Sequence, residues 1–288
     1  MTSEPMPLAP GLHFIATPIG AARDITLHAL DILAAADILA AEDTRSLRRL
    51  MEIHGVALGA RPLLAYHDHN GARMRPRLVA ALEAGRTVAY ASEAGTPLVA
   101  DPGYRLARAA IERGIDVHAA PGPSAVLAAL TVSGLPSDRF AFLGFAPPQK
   151  AARRRFLEEA ASIPATLILF ESPKRVSRIL TESAESLGEA REAAVCRELT
   201  KRFEEVTRGT LGELATRFAG ETPRGEVVLV IDRARGPAAG AEAMETMLRA
   251  VLREASVKDA AARVAADLGL PKREVYQAAL RIAEEEEE

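Results

Sequence analysis

The residue types able to do chemistry are concentrated in five short stretches: Thr17-Pro18-Ile19-Gly20, Glu42-Asp43-Thr44-Arg45, His67-Asp68-His69-Asn70, Ser92-Glu93-Ala94-Gly95-Thr96-Pro97 and Pro121-Gly122-Pro123-Ser124. In the first, a proline stiffens the chain and removes a donor where an aromatic base can lie flat; it reads equally as a plain turn. In the fourth, the carboxylate of Glu93 suits hydroxyls or a cationic amine, and Gly95 permits close backbone approach. The Glu42 to Arg45 stretch is either a cap with acids favouring a helix start or a group that turns Arg45 towards a phosphate or base. Two imidazoles flanking Asp68 suit a general base. As a metal site they lack a cysteine or a third nearby histidine, so a polar substrate-side loop is expected instead and no metal is assigned. Ser124 in the fifth stretch is a candidate helix cap.

The second half adds Phe170-Glu171-Ser172-Pro173-Lys174-Arg175 and Arg197-Glu198-Leu199-Thr200-Lys201, with basic clusters at Arg153-Arg154-Arg155 and Lys272-Arg273. Such clusters are commonly solvated faces, and gathered on one surface they neutralise RNA phosphates. No Gly-x-Gly-x-x-Gly or Gly-x-x-x-x-Gly-Lys-Ser/Thr occurs, which argues against the common nucleotide phosphate loops. A Gly-x-Ser-x-Gly nucleophile elbow is absent as well.

These stretches follow short apolar runs, and the runs define the elements that must position them. Strands are expected at Leu12–Ala16, Ile38–Ala41, Leu63–Tyr66, Val88–Ala91 and Val117–Ala120, separated by amphipathic helical segments. That alternation predicts βαβ units and a mainly parallel sheet, whose ligands bind outside the carboxyl ends of the strands. After Leu135-Pro136-Ser137-Asp138 the rhythm changes. Strands are expected at 140–145, 167–170, 193–196, 204–208 and 227–231, and the pair near 196 and 205 lies too close for a helical crossover, so antiparallel pairing follows. Residues 235–240 form a breaker-rich linker. Beyond it, Ser256 and Asp259 open a helix with Val257, Ala261, Val264, Ala265 and Leu268 on one face, ended by Gly269. A second helix begins near Pro271, with Val275, Tyr276, Ala279 and Leu280 as its apolar side, so the pair is a helix-turn-helix candidate. The boundaries read as 1–122, 123–235 and 241–288.

The chain has 288 residues and a formal charge of −3, which alone announces no nucleic-acid partner. The run Glu284 to Glu288, read as a solvated tail, offsets basic clusters elsewhere. A single cysteine, Cys196, can form no internal disulfide, and its apolar surroundings suggest a buried thiol. With neither an apolar stretch of membrane-spanning length nor a signal-like start, the expectation is a soluble cytoplasmic protein that uses no membrane.

Taken in order, Ala16 to Gly20, Ala41 to Arg45, His67 to Asn70, Ala94 to Pro97, Asp101-Pro102-Gly103-Tyr104 and Glu198-Leu199-Thr200-Lys201 resemble the small-subunit ribosomal RNA (cytidine-2′-O)-methyltransferases of the tetrapyrrole methylase superfamily. The likeness runs from about Leu12 to Leu280. It implies a two-domain α/β fold, with a mainly parallel N-terminal sheet, a mixed C-terminal sheet and a small helix-turn-helix module that binds RNA or the ribosome. It implies a homodimer, with S-adenosylmethionine held between the domains by Thr17, Pro18, Ile19, Ser92, Glu93, Ala94, Gly95, Thr96, Gly122, Pro123, Ser124, Phe170, Glu171, Glu198 and Leu199. The implied reaction is methylation of a cytidine 2′-hydroxyl in the decoding region of 16S rRNA within the small subunit. Glu42, Asp43, Arg45, His67, His69 and Lys201 are the candidates for chemistry, with no base singled out. Arg45, Lys174, Arg175, Lys258, Arg263, Lys272 and Arg273 are the candidates for RNA contact. Glu93 stands where the family usually has Asp, one methylene longer. Two alternatives share parts of the pattern: a precorrin-type tetrapyrrole C-methyltransferase, which has no need of a basic tail, and a ligand-sensing DNA-binding regulator, which does not need two full α/β domains.

Overall fold

The computed structural model describes residues 8–99, 103–234, 241–268 and 271–287. Asp101 and Pro102, the 235–240 linker, Gly269 and Glu288 lie outside the described residues, as do the side chains of Leu268 and of 284–287. The chain divides into two compact units, Met1–Arg233 and Ala234–Glu288.

The first unit begins with β1 (Gly11–Ile15), α1 (Leu27–Ala35), β2 (Ile38–Ala41), α2 (Thr44–Ile53), β3 (Leu63–Ala65), α3 (Gly71–Glu83), β4 (Thr87–Ala91), α4 (Tyr104–Ile111) and β5 (Val117–Ala120). The strands form a parallel sheet in the order β3-β2-β4-β1-β5. Strands β1, β2 and β4 are buried along their whole length, as continuous apolar runs covered on both faces must be. Separate apolar clusters fill the two faces, one around Phe14, Tyr66, Tyr90 and Leu106, the other around Ile15, Ile32, Leu39 and Met51. At the amino ends of β2 and β4, Asp37 accepts bonds from the backbone N–H of Thr87 at 2.8 Å and its hydroxyl at 2.9 Å, which closes that edge.

Helix α5 (Ala125–Ser133) leads into β6 (Phe140–Phe145), α6 (Lys150–Ala161), β7 (Thr166–Glu171), α7 (Val176–Leu187), β8 (Glu192–Arg197), β9 (Glu205–Thr210), α8 (Leu211–Arg217) and β10 (Val227–Ile231). This sheet runs β6-β7-β10-β8-β9, with β6 and β7 parallel and the other neighbours antiparallel, including the β8–β9 pair that the short spacing predicts. Helix α8 starts with a full capping box between Thr210 and Glu213. Cys196 is buried, and burial pushes its thiol pKa up to about 12, so it packs as an apolar group and not as a nucleophile. The Arg153 to Arg155 cluster is not one solvated face. Arg153 is 2% exposed, paired through Nε and Nη2 with both carboxylate oxygens of Glu182 and donating through Nη1 to the carbonyls of Pro147 and Pro148. A buried charge needs that complete set of partners.

The second unit contains, among the described residues, α9 (Ala241–Leu252), α10 (Val257–Leu268) and α11 (Lys272–Glu287). Helix α9 goes beyond the two-helix reading; its Leu248 is fully buried beside Ala261, Val264 and Val275. Ser256 caps α10 by accepting from the Asp259 N–H at 3.2 Å. The apolar side of α11 also differs from expectation. Val275, Ala278, Ala279 and Ile282 are buried, while Tyr276 and Leu280 are exposed. A helix packed against two partners rather than one rotates its buried stripe towards the groove between them.

Candidate functional site

Strands β2, β4 and β1 are neighbours, so the three stretches that follow them lie side by side at one edge of the parallel sheet. Backbone bonds lock two of these stretches together. The N–H of Thr17 donates to the Gly95 carbonyl, and that of Gly95 to the Thr17 carbonyl, each at 3.0 Å. The Thr17 hydroxyl donates to the Ser92 carbonyl at 3.2 Å, and the Ser92 hydroxyl to the Gly95 carbonyl at 2.6 Å. Thr96 donates to the Pro123 carbonyl at 2.9 Å. The polar side chains of Thr17, Ser92 and Thr96 therefore shape the loops. Gly95 sits at φ +78°, and a Cβ there would stand 3.3 Å from Ile19.

The mixed sheet supplies the opposite wall. Phe170 and Glu171 end β7, Ser172 and Pro173 follow it, and Gly225 and Glu226 lead into Val227 and Val228 at the start of β10. Antiparallel register sets Val227 opposite both Glu171 and Arg197, so the amino end of β10 meets the carboxyl ends of β7 and β8. Between the two walls lies a cleft of about 620 Å³, lined also by Pro18, Ile19, Gly20, Glu42, Glu93, Ala94, Gly95, Thr96, Ser124, Phe145 and Lys201. At its floor the two layers touch. The N–H of Ala21 donates to the Thr200 hydroxyl at 3.1 Å, and a Cβ on Gly20 would meet Lys201 Cγ at 2.5 Å. Glu198 and Thr200 hold left-handed backbone, at φ 50° and 62°, to make this approach.

The candidates for chemistry separate on this geometry. Glu42, the residue after β2, lines the cleft. Lys201 Nζ donates to Glu198 Oε1 and Glu226 Oε2, each at 2.9 Å. Burial alone would lower its pKa, but the bonds to Glu226 and Glu198 outweigh it and raise it, so Lys201 stays a cation and is no proton acceptor at neutral pH. The hydrogen bond from Lys201 in turn holds the Glu198 carboxyl below its ordinary range. Asp43 caps α2, accepting from the N–H of Arg45 at 2.8 Å and of Ser46 at 3.4 Å. The Arg45 side chain donates to the same carboxyl and holds its pKa low. His67 and His69 line neither this cleft nor the cavity beside it, because β3 is the edge strand and its loop lies outboard. The loop is a turn rather than extended chain: Asn70 Oδ1 accepts from the His67 N–H at 3.0 Å and leads into α3.

Gly122, Pro123, Glu198 and Leu199 support the cleft without lining it. Gly122 packs on Ala16, Leu199 is buried with Ile19 and Val126, and Glu198 lies under Lys201. Glu171 is 3% exposed, and burial raises its carboxyl pKa despite the Ser172 N–H donating to Oε1 at 2.7 Å. Its Oε2 lies 3.1 Å from Arg175 Nη2 without hydrogen-bond alignment. Arg175, a candidate for RNA, thus faces Glu171 and also donates to the Ala146 carbonyl. Lys174, Arg45, Lys258, Arg263, Lys272 and Arg273 are exposed. Gly225, Glu226, Val228, Phe145 and Ser46 line the cleft beyond the expected set. The signal for Gly225 was its position just before a continuous apolar strand.

The lining suits a cationic ligand with an apolar body. Four carboxylates, those of Glu42, Glu93, Glu171 and Glu226, face one lysine, and Ile19, Phe170 and Val228 supply apolar surface. Gly20, Gly95 and Gly225 lie where a Cβ would crowd Lys201, Ile19 and Glu198, so the missing side chains let the loops of the cleft pack closely on one another. Among the described residues no three His, Cys, Asp or Glu side chains gather as a metal cage. Among the same residues no helix is long and apolar enough to cross a membrane.

The sequence profile of the tetrapyrrole (corrin/porphyrin) methylases matches residues 11–215, and that of the RsmI C-terminal HTH domain matches 238–283. A protein of Mesorhizobium japonicum named ribosomal RNA small subunit methyltransferase I is 48% identical, over 96% of this chain and 93% of its own length. Proteins of the same name from Xylella fastidiosa and Mycobacterium tuberculosis are each 43% identical, over 92% of this chain and 97% and 93% of their own. Among solved structures, a diphthine synthase has a TM-score of 0.60 at 18% identity, covering 77% of this chain and 89% of that one. A uroporphyrin-III C-methyl transferase from Thermus thermophilus, complexed with S-adenyl homocysteine, has 0.54 at 19%, covering 77% and 97%. These structural likenesses establish the α/β fold.

Proposed function

The chain belongs to the tetrapyrrole methylase family, on the branch of the small-subunit rRNA methyltransferases I, and from that premise we propose that it methylates ribosomal RNA with S-adenosylmethionine as donor. In its finer form the proposal is transfer to the ribose 2′-hydroxyl of a cytidine in the decoding region of 16S rRNA. The observation that carries it is the acidic, glycine-lined cleft at the carboxyl ends of β1, β2 and β4. S-adenosylmethionine is a sulfonium and an ammonium on an adenosine, and when bound it supplies an electrophilic methyl group. Glu93, Glu171 and Glu226 supply carboxylates for its cationic and hydroxyl groups, while Ile19, Phe170 and Val228 supply apolar contact. In-line attack gains most from positioning, and the rigid Thr17–Gly95 bridge fixes one wall of the cleft for it.

A ribose hydroxyl must lose a proton as it attacks, and Glu42 is our assignment for the acceptor. It lines the cleft, whereas Lys201 is held protonated, Asp43 lines the cavity beside it, and both histidines line neither. Lys201 then serves as a fixed cation that keeps Glu198 and Glu226 in place. In the C-terminal unit the exposed Lys258, Arg263, Lys272 and Arg273 give RNA phosphates a basic surface. A homodimer working in the cytoplasm belongs to the same reading.

The test is methyl transfer from labelled S-adenosylmethionine to assembled small subunits, naked rRNA, a tetrapyrrole and duplex DNA, with the product mapped to the atom. Label on a cytidine 2′-oxygen of small-subunit rRNA is the expected result. Label on the tetrapyrrole alone would refute it. Glu42→Gln should lower kcat roughly 100-fold, the scale of a lost general base.

A further inference from the structure

Beside the cleft lies a second cavity of about 620 Å³, whose far side is α2 and whose near side is shared with the expected cofactor set through Thr17, Pro18, Ser92 and Glu93. A volume of that size is in the range of small-ligand sites, about 300–1,000 Å³. Pro18, Gly20, Ser46 and Glu93 line both spaces, so the two adjoin across a single layer of side chains. The cavity has the chemistry of a nucleotide site. Leu50 and Ile53 give apolar surface, and Ile53 is 50% exposed. Arg45 and Arg49, one helical turn apart on α2, place guanidinium groups along it, their side chains 91% and 74% exposed. Arg45 is tied to Asp43 at 3.2 Å, whereas Arg49, among the described residues, is paired loosely with Glu52 at 3.6 Å and is available to an incoming anion. An exposed pair of that kind contributes little, so exchanging it for a phosphate is favourable.

An RNA acceptor is a polymer, and a nucleotide presented in the cleft brings its neighbours with it. We propose that the α2 cavity receives a nucleotide flanking the methylated one, its base against Leu50 and Ile53 and its phosphate on Arg49. The inference rests on the rRNA-methylating reading above and adds a specificity subsite to it. Arg48 provides an internal control, being an exposed arginine on the same helix that does not line the cavity.

The experiment is steady-state methyl transfer by the full-length protein to unmethylated small subunits, comparing wild type with Arg49→Ala, Arg49→Lys and Arg48→Ala. Arg49→Ala should raise KM for the subunits about tenfold, while Arg48→Ala changes it less than twofold. The salt dependence of subunit binding should weaken by about one ion for Arg49→Ala. Arg49→Lys should recover part of the loss, since the charge returns without the planar fork. Equal effects of Arg48→Ala and Arg49→Ala would overturn the subsite, leaving only general charge attraction. So would an Arg49→Ala variant whose loss falls on kcat with KM unmoved. Wild type that transfers no methyl group to any small subunit would overturn the rRNA reading itself, an outcome distinct from either.

Discussion

The parallel sheet offers the cleft only carboxyl ends, those of β2, β4 and β1, whereas the mixed sheet offers the carboxyl end of β7 beside the amino end of β10. In a parallel sheet every strand points the same way, so its ligand-facing loops all follow strands and can be found by reading forward from each apolar run. In a mixed sheet direction alternates, and half of the chain facing a ligand precedes its strand. Gly225 and Glu226 occupy such a position. A cleft between two such layers therefore has one wall that is legible from strand ends and one that depends on register.

If the two walls are equal partners, a side chain added at either should cost comparable cofactor affinity. Gly225→Val carries the larger expected effect. Its φ of +89° disfavours a branched residue, and its Cβ would overlap the Glu198 carboxyl that positions Lys201. Backbone strain of about 1–3 kcal/mol and displacement of Glu198 should weaken S-adenosylmethionine binding at least about tenfold in calorimetry. Unchanged affinity would remove β10 from the site. Gly95→Leu, at φ +78° with 3.3 Å to Ile19, should cost about tenfold, because Ile19 can shift by a few tenths of an ångström. A loss only at Gly95 would make the parallel sheet the sole cofactor wall.

The smallest effect belongs to the amino ends of the parallel sheet, where the bonds are structural. Hydrogen bonds from the Thr87 backbone and hydroxyl hold the Asp37 carboxyl below its ordinary pKa. A carboxylate depressed in the folded state stabilises above its unfolded pKa, about 3.9, and that contribution is lost as pH falls through the folded value. Asp37→Asn should thus lower stability by under about 1 kcal/mol at pH 7, since the group is exposed and screened. By pH 3 the difference in denaturation midpoint should be shrinking, and methyl transfer should be unaffected. A loss of activity would mean that the two ends of this sheet are not separate in function.

How far the sequence could be read follows from the range of the interactions. Strands β1, β2 and β4 are local patterns, and the pairing of β8 with β9 follows from a short connection, so all of these were legible. Arg153 was not, because its partner Glu182 lies 29 residues away in sequence. The outboard position of His67 and His69 depends on strand order, in which β3 is an edge, and no local pattern encodes that order. The buried face of α11 depends on α9, whose packing decides which side of α11 meets Leu248. In the cleft, the glycines and carboxylates of the Thr17, Glu42 and Ser92 stretches were readable. The proton-holding state of Lys201 was not, since it requires Glu226 to arrive from another strand.

The bond from the Ala21 N–H to the Thr200 hydroxyl has a consequence for measurement. A single amide of the parallel layer is satisfied by a side chain of the mixed layer, across the floor of the cleft. Parting of the layers breaks that bond and exposes the amide, so its exchange rate responds to local opening of the floor, without a label or a substrate. Amides inside β1 and β10 exchange only when their own sheets come apart. The difference between the two rates separates local opening at the floor of the cleft from unfolding of either sheet, at the resolution of one hydrogen atom.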